Sequence, residues 1–244
     1  MQPQEDKAFW NKEWDTARAL GPDHPDAPTW RNEVDQRLMA FLRPYLPQDG
    51  RVAEVGCGSG RLLARIGRER PVTLTAVDYA SSALDLVNQS AQVFGVKIRS
   101  VLADVTCMGF ADRSFDLILS GGLLEHFDDP KRALAEMVRI LKPGAVVFAA
   151  VVPRKWFSLH RPMHRWLGPQ VYRTRYGPRQ YATWLKELGC VDIVTESKGA
   201  YPPLFHHLPT GPRRMIEGMF RPLDGTWVAD RLGYFFVVAG RRGA

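Results

Sequence analysis

Long apolar runs are missing from this sequence. None approaches the roughly 20 residues that a membrane-spanning helix needs, so a helical integral membrane protein is excluded. Cysteine is scarce: Cys57, Cys107 and Cys190 are the three among 244 residues, far apart and without paired spacing. That argues against a disulfide framework and against a zinc site, and it suits a reducing, cytoplasmic setting. Residues Met1 to Lys7 are polar and acid-tinged, so no secretory signal is expected there. A clustered set of carboxylates is missing too, and no metal ion is expected. At this length the chain should form one domain with a sizeable core and one elaborated end.

What is present is unevenly distributed. The net charge is +7, from 33 Lys and Arg against 26 Asp and Glu. Between Pro153 and Tyr181 stand Arg154, Lys155, Arg161, Arg165, Arg173, Arg175 and Arg179 with no acid among them, so the rest of the chain balances to zero. A field localised in this way speaks to a partner, whereas a uniform excess would speak to solubility. Trp156, Phe157, His160, His164, Trp166, Tyr172 and Tyr176 are interleaved with those cations.

Periodicity gives the order of elements. An N-terminal arm carries Phe9, Trp10, Trp14 and Trp30 among charges and prolines, with a short helix expected near 6–19. Helical spacing of Val34, Leu38, Phe41, Leu42 and Tyr45 predicts a second helix over 31–46, stopped by Pro44 and Pro47. Strands are then expected near 51–55, 72–77, 97–102, 115–120 and 145–151, with helices near 60–69, 81–94 and 129–141. Continuous Val/Leu/Ile strands separated by helices imply a doubly wound, mostly parallel sheet covered on both faces, an α/β fold. After an insert at 153–178, a helix from Arg179 to Leu188 and a strand from Val191 to Thr195 resume. Residues 199–226 are expected to be irregular, and Tyr234 to Ala239 to form a closing strand. The arm is assigned to residues 1–45 and the main domain to 46–244.

The stretch Val52-Ala53-Glu54-Val55-Gly56-Cys57-Gly58-Ser59-Gly60-Arg61-Leu62-Leu63 organises the rest. A buried strand, a turn with glycine at every second position and an amphipathic helix start let a ligand approach backbone and meet the positive helix end. Cys57 sits where only a small side chain fits. Asp78 follows the glycines by about 20 residues at the end of the second strand, the spacing at which an acid meets a ribose diol. Asp104 stands in the same relation to the third strand and has no obvious helix to cap, which favours a ligand role. Arg61 occupies the place of the third glycine that a dinucleotide turn would require.

These residues resemble the class I S-adenosylmethionine-dependent methyltransferases. Glu54-x-Gly56-x-Gly58-x-Gly60 is similar to their first motif. Phe115-Asp116-Leu117-Ile118-Leu119-Ser120, Leu124-Glu125-His126 and Leu141-Lys142-Pro143-Gly144 continue the likeness over roughly residues 45 to 153. The resemblance implies a seven-stranded sheet whose last strand runs antiparallel beside the sixth. It implies S-adenosylmethionine as cofactor and S-adenosylhomocysteine as its product. Gly56, Cys57, Gly58 and Gly60 would border the methionine and ribose, with Glu54 near the ammonium. Asp78 would take the ribose hydroxyls with Tyr79 beside it, Asp104 the adenine amine, and Val105 the ring. Ser120 would end the fourth strand near the reactive methyl.

For the acceptor the sequence offers less. His126 is the first candidate for a general base because it follows the fourth strand and titrates near neutral pH; the alternative is that it only shapes the pocket. Trp10 and Trp14 of the arm, and His160, Arg161, His164 and Arg175 of the insert, are the candidate acceptor-binding residues. Arginine forks with aromatic walls suit an acceptor that joins an anionic group to an apolar or planar body. The fourth strand ends in Ser-Gly-Gly, without the Asn/Asp-Pro-Pro-Tyr ending of amino-methyltransferases, so O- or C-methylation of a small molecule is expected. A lipid surface would also suit the arginines and tryptophans. Two other readings compete: an RNA-modifying enzyme gripping phosphates with the insert, disfavoured by the absence of an appended RNA-binding unit, and a cofactor-binding protein without turnover.

Overall fold

A computed structural model of the chain describes residues 3–153, 174–198, 208, 210–233 and 235–244. Seven strands form one sheet: β1 Arg51–Val55, β2 Thr73–Asp78, β3 Ile98–Leu102, β4 Phe115–Gly121, β5 Leu141–Val151, β6 Cys190–Lys198 and β7 Phe235–Arg242. Their order across the sheet is β3-β2-β1-β4-β5-β7-β6. The first five pair in parallel, and β7 lies antiparallel between β5 and β6. This is the doubly wound, mostly parallel sheet that the sequence pattern predicts, with the antiparallel last strand that the resemblance implies. The order of strands reverses at β1 and β4, so a crevice opens beyond their carboxyl ends.

Helices cover both faces because the strands are apolar on both. Val52, Leu74, Ala76, Leu117, Leu119 and Phe148 point to a layer formed by α2 Trp30–Leu42, α3 Arg61–Glu69 and α4 Ser81–Phe94. Ala53, Val55, Ile118, Val147 and Phe236 point to the other layer, formed by α5 Pro130–Arg139 and α6 Pro178–Glu187. The helix ends carry expected chemistry. Thr29 caps α2 by accepting from Asn32 N–H, Asp129 caps α5 by accepting from Lys131 N–H ahead of Pro130, and Gly95 ends α4 with φ of 67°.

The N-terminal helix α1, Pro3–Leu20, lies against α4 and the carboxyl edge of the sheet. It behaves differently from α2, which sinks Leu38, Met39 and Leu42 into the core. No residue of α1 from Lys7 to Leu20 is buried.

Three expectations need correction. Residues 199–226 are not irregular throughout: α7 spans Thr210–Phe220, and α8 follows at Trp227–Leu232. Gly211, Pro212 and Gly218 disguise α7 in the sequence, but Glu217 is held by Arg37 of α2, so tertiary contact overrides weak propensity. The helix expected at 129–141 stops at Arg139, and β5 begins at Leu141, ahead of Pro143 and Gly144. Lys142 Nζ binds both oxygens of Asp116, 2.8 and 2.9 Å away, and so fastens the early part of β5 beside β4. The second helix ends at Leu42, and Arg43–Tyr45 turn as a 3-10 segment around Pro44.

Candidate active site

The glycine turn is built by necessity from glycine. Gly56, Gly58 and Gly60 have φ of 60°, 49° and 65°, a left-handed backbone that other residues enter at a cost of about 1–2 kcal/mol each. There is no room for side chains either. A Cβ on Gly56 would lie 2.6 Å from Leu123 Cδ1, and one on Gly58 would lie 2.5 Å from Trp14 Cη2. Cys57, buried within the turn, donates its N–H to Val77 O at 3.1 Å and ties the turn to β2. Its thiol is pushed well up, first by burial and then by the nearby charge of Asp78, so it is an inert packing group.

Asp78 ends β2 with both carboxylate oxygens engaged. Oδ2 accepts from Gly58 N–H and Oδ1 from Ala80 N–H, each at 3.0 Å. Burial raises its pKa, while the N–H groups of Ala80, Gly58 and Tyr79 oppose that rise. The carboxylate therefore sits at the lip of the crevice and braces the turn. Each oxygen keeps a lone-pair direction beyond the bond it accepts, so hydroxyl donors can still be met there.

Glu54 reaches a different partner. It is fully buried, and Oε2 accepts from Leu63 N–H of α3 at 3.2 Å. Burial pushes its pKa up to about 8; the bond to Leu63 opposes the rise, and the charge of Asp35 adds to it. Arg61, the residue after Gly60, points away from the turn toward Asp35. Its Nε and Nη2 meet the two Asp35 oxygens at 2.9 and 3.2 Å.

Asp104 is exposed just beyond β3, on the strand beside Asp78, with Ala103 N–H donating to Asp78 O at 3.0 Å. The two acids thus share one edge. No helix follows Asp104 before β4; its Oδ1 accepts from Thr106 N–H at 2.7 Å and from Thr106 Oγ1 at 2.8 Å, closing a local turn. Its Oδ2 has no partner among the described residues. Tyr79 is half-buried beside Asp78, and Val105 is buried behind Asp104. Ser120 is fully buried near the end of β4, its Oγ without a hydrogen-bond partner among the described residues. A buried hydroxyl without a partner is uncommon, and this one lies one residue before the end of β4. Left-handed glycines, a braced carboxylate, a free carboxylate oxygen and an orphan hydroxyl fit a polar cofactor carrying ribose and an amine.

His126 lies in the 3-10 turn Leu124–His126 that follows β4, half-buried. The Trp10 ring meets its imidazole edge-on, with centroids 5.0 Å apart and planes at 68°. Trp10 in turn stacks near Trp14 at 6.4 Å and 22°. Arg175 is exposed. It follows Thr174, whose N–H donates to Glu125 O at 2.7 Å, so the end of the insert returns beside His126. His160, Arg161 and His164 lie outside the described residues, as does most of the insert. Among the described residues no group of His, Cys, Asp and Glu is arranged to hold a metal ion, and no helix is long and apolar enough to cross a membrane.

Sequence reasoning missed three participants. Glu125 is buried and accepts from Val152 N–H at 3.2 Å, joining the turn after β4 to the exit of β5. Its place in the Leu124-Glu125-His126 run was the available signal. Asn11 of α1 supplies the N-terminal partner that α4 lacks: its Oδ1 accepts from Ser82 N–H at 3.3 Å. Leu123, against Gly56, carried no signal at all.

Comparison with known proteins agrees with this geometry. Residues 53–149 match the family described as "Methyltransferase domain". The chain is 32% identical over 175 residues to a malonyl-[acyl-carrier protein] O-methyltransferase of Halorhodospira halophila, covering 69% of this chain and 57% of that protein. It is 25% identical over 143 residues to a ubiquinone biosynthesis O-methyltransferase of Coxiella burnetii, covering 59% and 58%. The chain thus spans a little over half the length of these two relatives. Among solved structures, the [4+2]-cyclase SpnF superposes with a TM-score of 0.68 at 19% identity, covering 99% of this chain and 96% of that one. A phosphoethanolamine N-methyltransferase 2 of Haemonchus contortus in complex with S-adenosyl-L-methionine gives 0.63 at 18% identity, covering 86% and 53%. These structural likenesses establish the fold.

Proposed function

We propose that this chain, whose residues 53–149 match a methyltransferase domain, is a class I, S-adenosylmethionine-dependent methyltransferase that methylates an oxygen or carbon of a small molecule joining an anionic group to an apolar or planar body. The observation that carries the reading is the glycine turn braced by Asp78, with Asp104 beside it on the same edge. Two relatives in which a carboxyl-bearing acyl group or a quinone precursor is implied by the name are O-methyltransferases, which supports oxygen as the methylated atom.

Bound S-adenosylmethionine supplies an activated methyl group on a neutral leaving sulfur. The chain's own task is mainly to hold the nucleophile about 3 Å from that carbon, and such positioning is worth about 7–11 kcal/mol. Gly56, Gly58 and Gly60 would present bare backbone to the methionine and ribose once Trp14 shifts from Gly58. Asp78 would meet the ribose hydroxyls with Tyr79 beside it, Asp104 Oδ2 the adenine amine, Val105 the ring, and Ser120 the region of the methyl. Glu54 stands behind the turn, near the ammonium. His126 takes the acceptor's proton, a contribution of about 10²–10⁴-fold when a hydroxyl is attacked. Trp10 and Trp14 wall the acceptor side, and Arg175, with His160, Arg161 and His164 of the insert, recognises its anionic group.

The test begins with S-adenosylhomocysteine in a calorimeter. The parent chain is expected to bind it, and Asp104→Asn to bind it at least several-fold more weakly with an unchanged melting temperature. No heat from the parent chain overturns the cofactor reading. Labelled S-adenosylmethionine incubated with carboxylated or quinol small molecules, acyl-carrier-bound acids, lipid vesicles and RNA then sorts the acceptor. Label entering RNA, with binding that falls steeply in salt, overturns the small-molecule reading.

A further inference from the structure

The helix α1 touches both halves of the crevice with one face. Trp10, Asn11, Trp14 and Arg18 follow helical spacing, and each has a partner on a different part of the edge. The Trp14 indole packs on Gly58 so closely that a Cβ there would lie 2.5 Å from Cη2 and 2.6 Å from Cζ2. Asn11 Oδ1 accepts from Ser82 N–H at the start of α4, directly after Asp78, Tyr79 and Ala80. Trp10, one helical turn before Trp14, meets the His126 ring at 5.0 Å. Arg18 binds Asp85 at the surface, 2.8 Å away.

The polar attachments of α1 are slight. Asn11 bonds to Ser81 and Ser82 at 3.3 to 3.4 Å, long for hydrogen bonds. The Arg18–Asp85 pair is largely exposed, and exposed pairs contribute about 0–1 kcal/mol. Gly21, with φ of 74° and open space around it, follows α1 and gives a point about which the helix can turn. The helix packs lengthwise along α4 and reaches each half-site with one ring, so a shift of α1 against α4 moves both tryptophans together.

We propose that α1 couples the two half-sites: Trp14, placed above on the acceptor wall, also contacts the cofactor where it lies on Gly58, and Trp10 is the positioning residue that sets the His126 ring. The inference rests on the cofactor reading above. A ligand entering at the glycine turn meets Trp14 on Gly58 and shifts it. The helix carries that displacement one turn along to Trp10, which re-orients His126 before an acceptor arrives. Cofactor binding and acceptor-side geometry are then linked through one element with differential contacts in two positions, the physical requirement for such coupling.

The experiment uses the full chain labelled with 5-fluorotryptophan, with resonances assigned by Trp10→Phe and Trp14→Phe. S-adenosylhomocysteine is the probe, and its binding is followed in parallel by calorimetry. The expected result is that the Trp14 and Trp10 fluorine lines both shift with the calorimetric midpoint, and that the His126 ring-carbon resonance shifts with them. In Trp14→Ala the probe should bind several-fold more weakly. At saturation the Trp10 line should then stay in place, while Trp14→Phe should restore part of its shift. Heat of binding with a stationary Trp10 line in the parent overturns the coupling alone. A Trp10 shift that persists in full in Trp14→Ala also overturns it. Absence of any heat in the parent overturns the cofactor reading and this inference together.

Discussion

The two N-terminal helices, α1 and α2, are neighbours in sequence and are held in opposite ways. On α2, Asp35 is buried and faces two arginines of α3: Arg61 bidentately, and Arg65 Nε at 3.6 Å. Arg65 also donates to Asn32 Oδ1 at 2.6 Å and to Pro25 O at 3.0 Å, and its guanidinium lies over the Phe94 ring. On α1 there is no buried residue from Lys7 to Leu20, and its ion pairs are exposed. A buried charge network fixes geometry because breaking it strands a charge in a poor medium. Ring contacts on a surface helix hold without fixing. The fold thus places a locked helix behind the glycine turn and an adjustable one in front of it.

The largest effect expected from breaking this contrast is on the locked side. Asp35→Ala leaves the partly buried Arg61 and Arg65 without their acid, and should cost up to about 3 kcal/mol in urea unfolding. A loss near zero would mean that α2 is held by its apolar face alone.

A second effect on the same side depends on pH. Glu54 carries a folded-state pKa of about 8 against an ordinary 4.5, so between those values the folded state keeps a proton that the unfolded state has given up. Stability from this group is therefore fully present below pH 4.5 and declines as pH rises toward 8, by at most about 1.4 kcal/mol per unit. Glu54→Gln, which keeps the shape without the titration, should flatten the stability curve over that window relative to the parent. Parallel curves from pH 5 to pH 8 would reject the assignment.

The smallest effect belongs to the adjustable side. Arg18→Ala removes the exposed pairs with Asp15 and Asp85, and should change unfolding free energy by no more than about 0.5–1 kcal/mol. A loss as large as that of Asp35→Ala would erase the distinction between the helices.

Much of the cofactor side could be read directly because its signals are local. The turn needs glycine at three alternate positions, and a strand ending in Asp78 or Asp104 announces itself by periodicity. The strand positions through β4 fell within a residue or two for the same reason. What could not be read was long-range. Asp35 and Arg61 are 26 residues apart on different helices, and nothing in either segment names the other. Trp14 against Gly58 is likewise a contact between an arm and a turn that share no pattern. The helix Thr210–Phe220 was hidden by its own glycines and proline and is held through Glu217 on Arg37. The turn that Thr106 closes on Asp104, two residues on, was too short a pattern to stand out.

The position of β7 sets a timetable for synthesis. Strands β1 to β5 pair among themselves, but β6 touches the sheet only through β7. A nascent chain can assemble the five-strand platform and its glycine turn while β6 waits for residues 235–242 to leave the ribosome. Premature termination within those residues would therefore remove two strands from the sheet, exposing the outer backbone of β5 to whatever neighbour could pair with it.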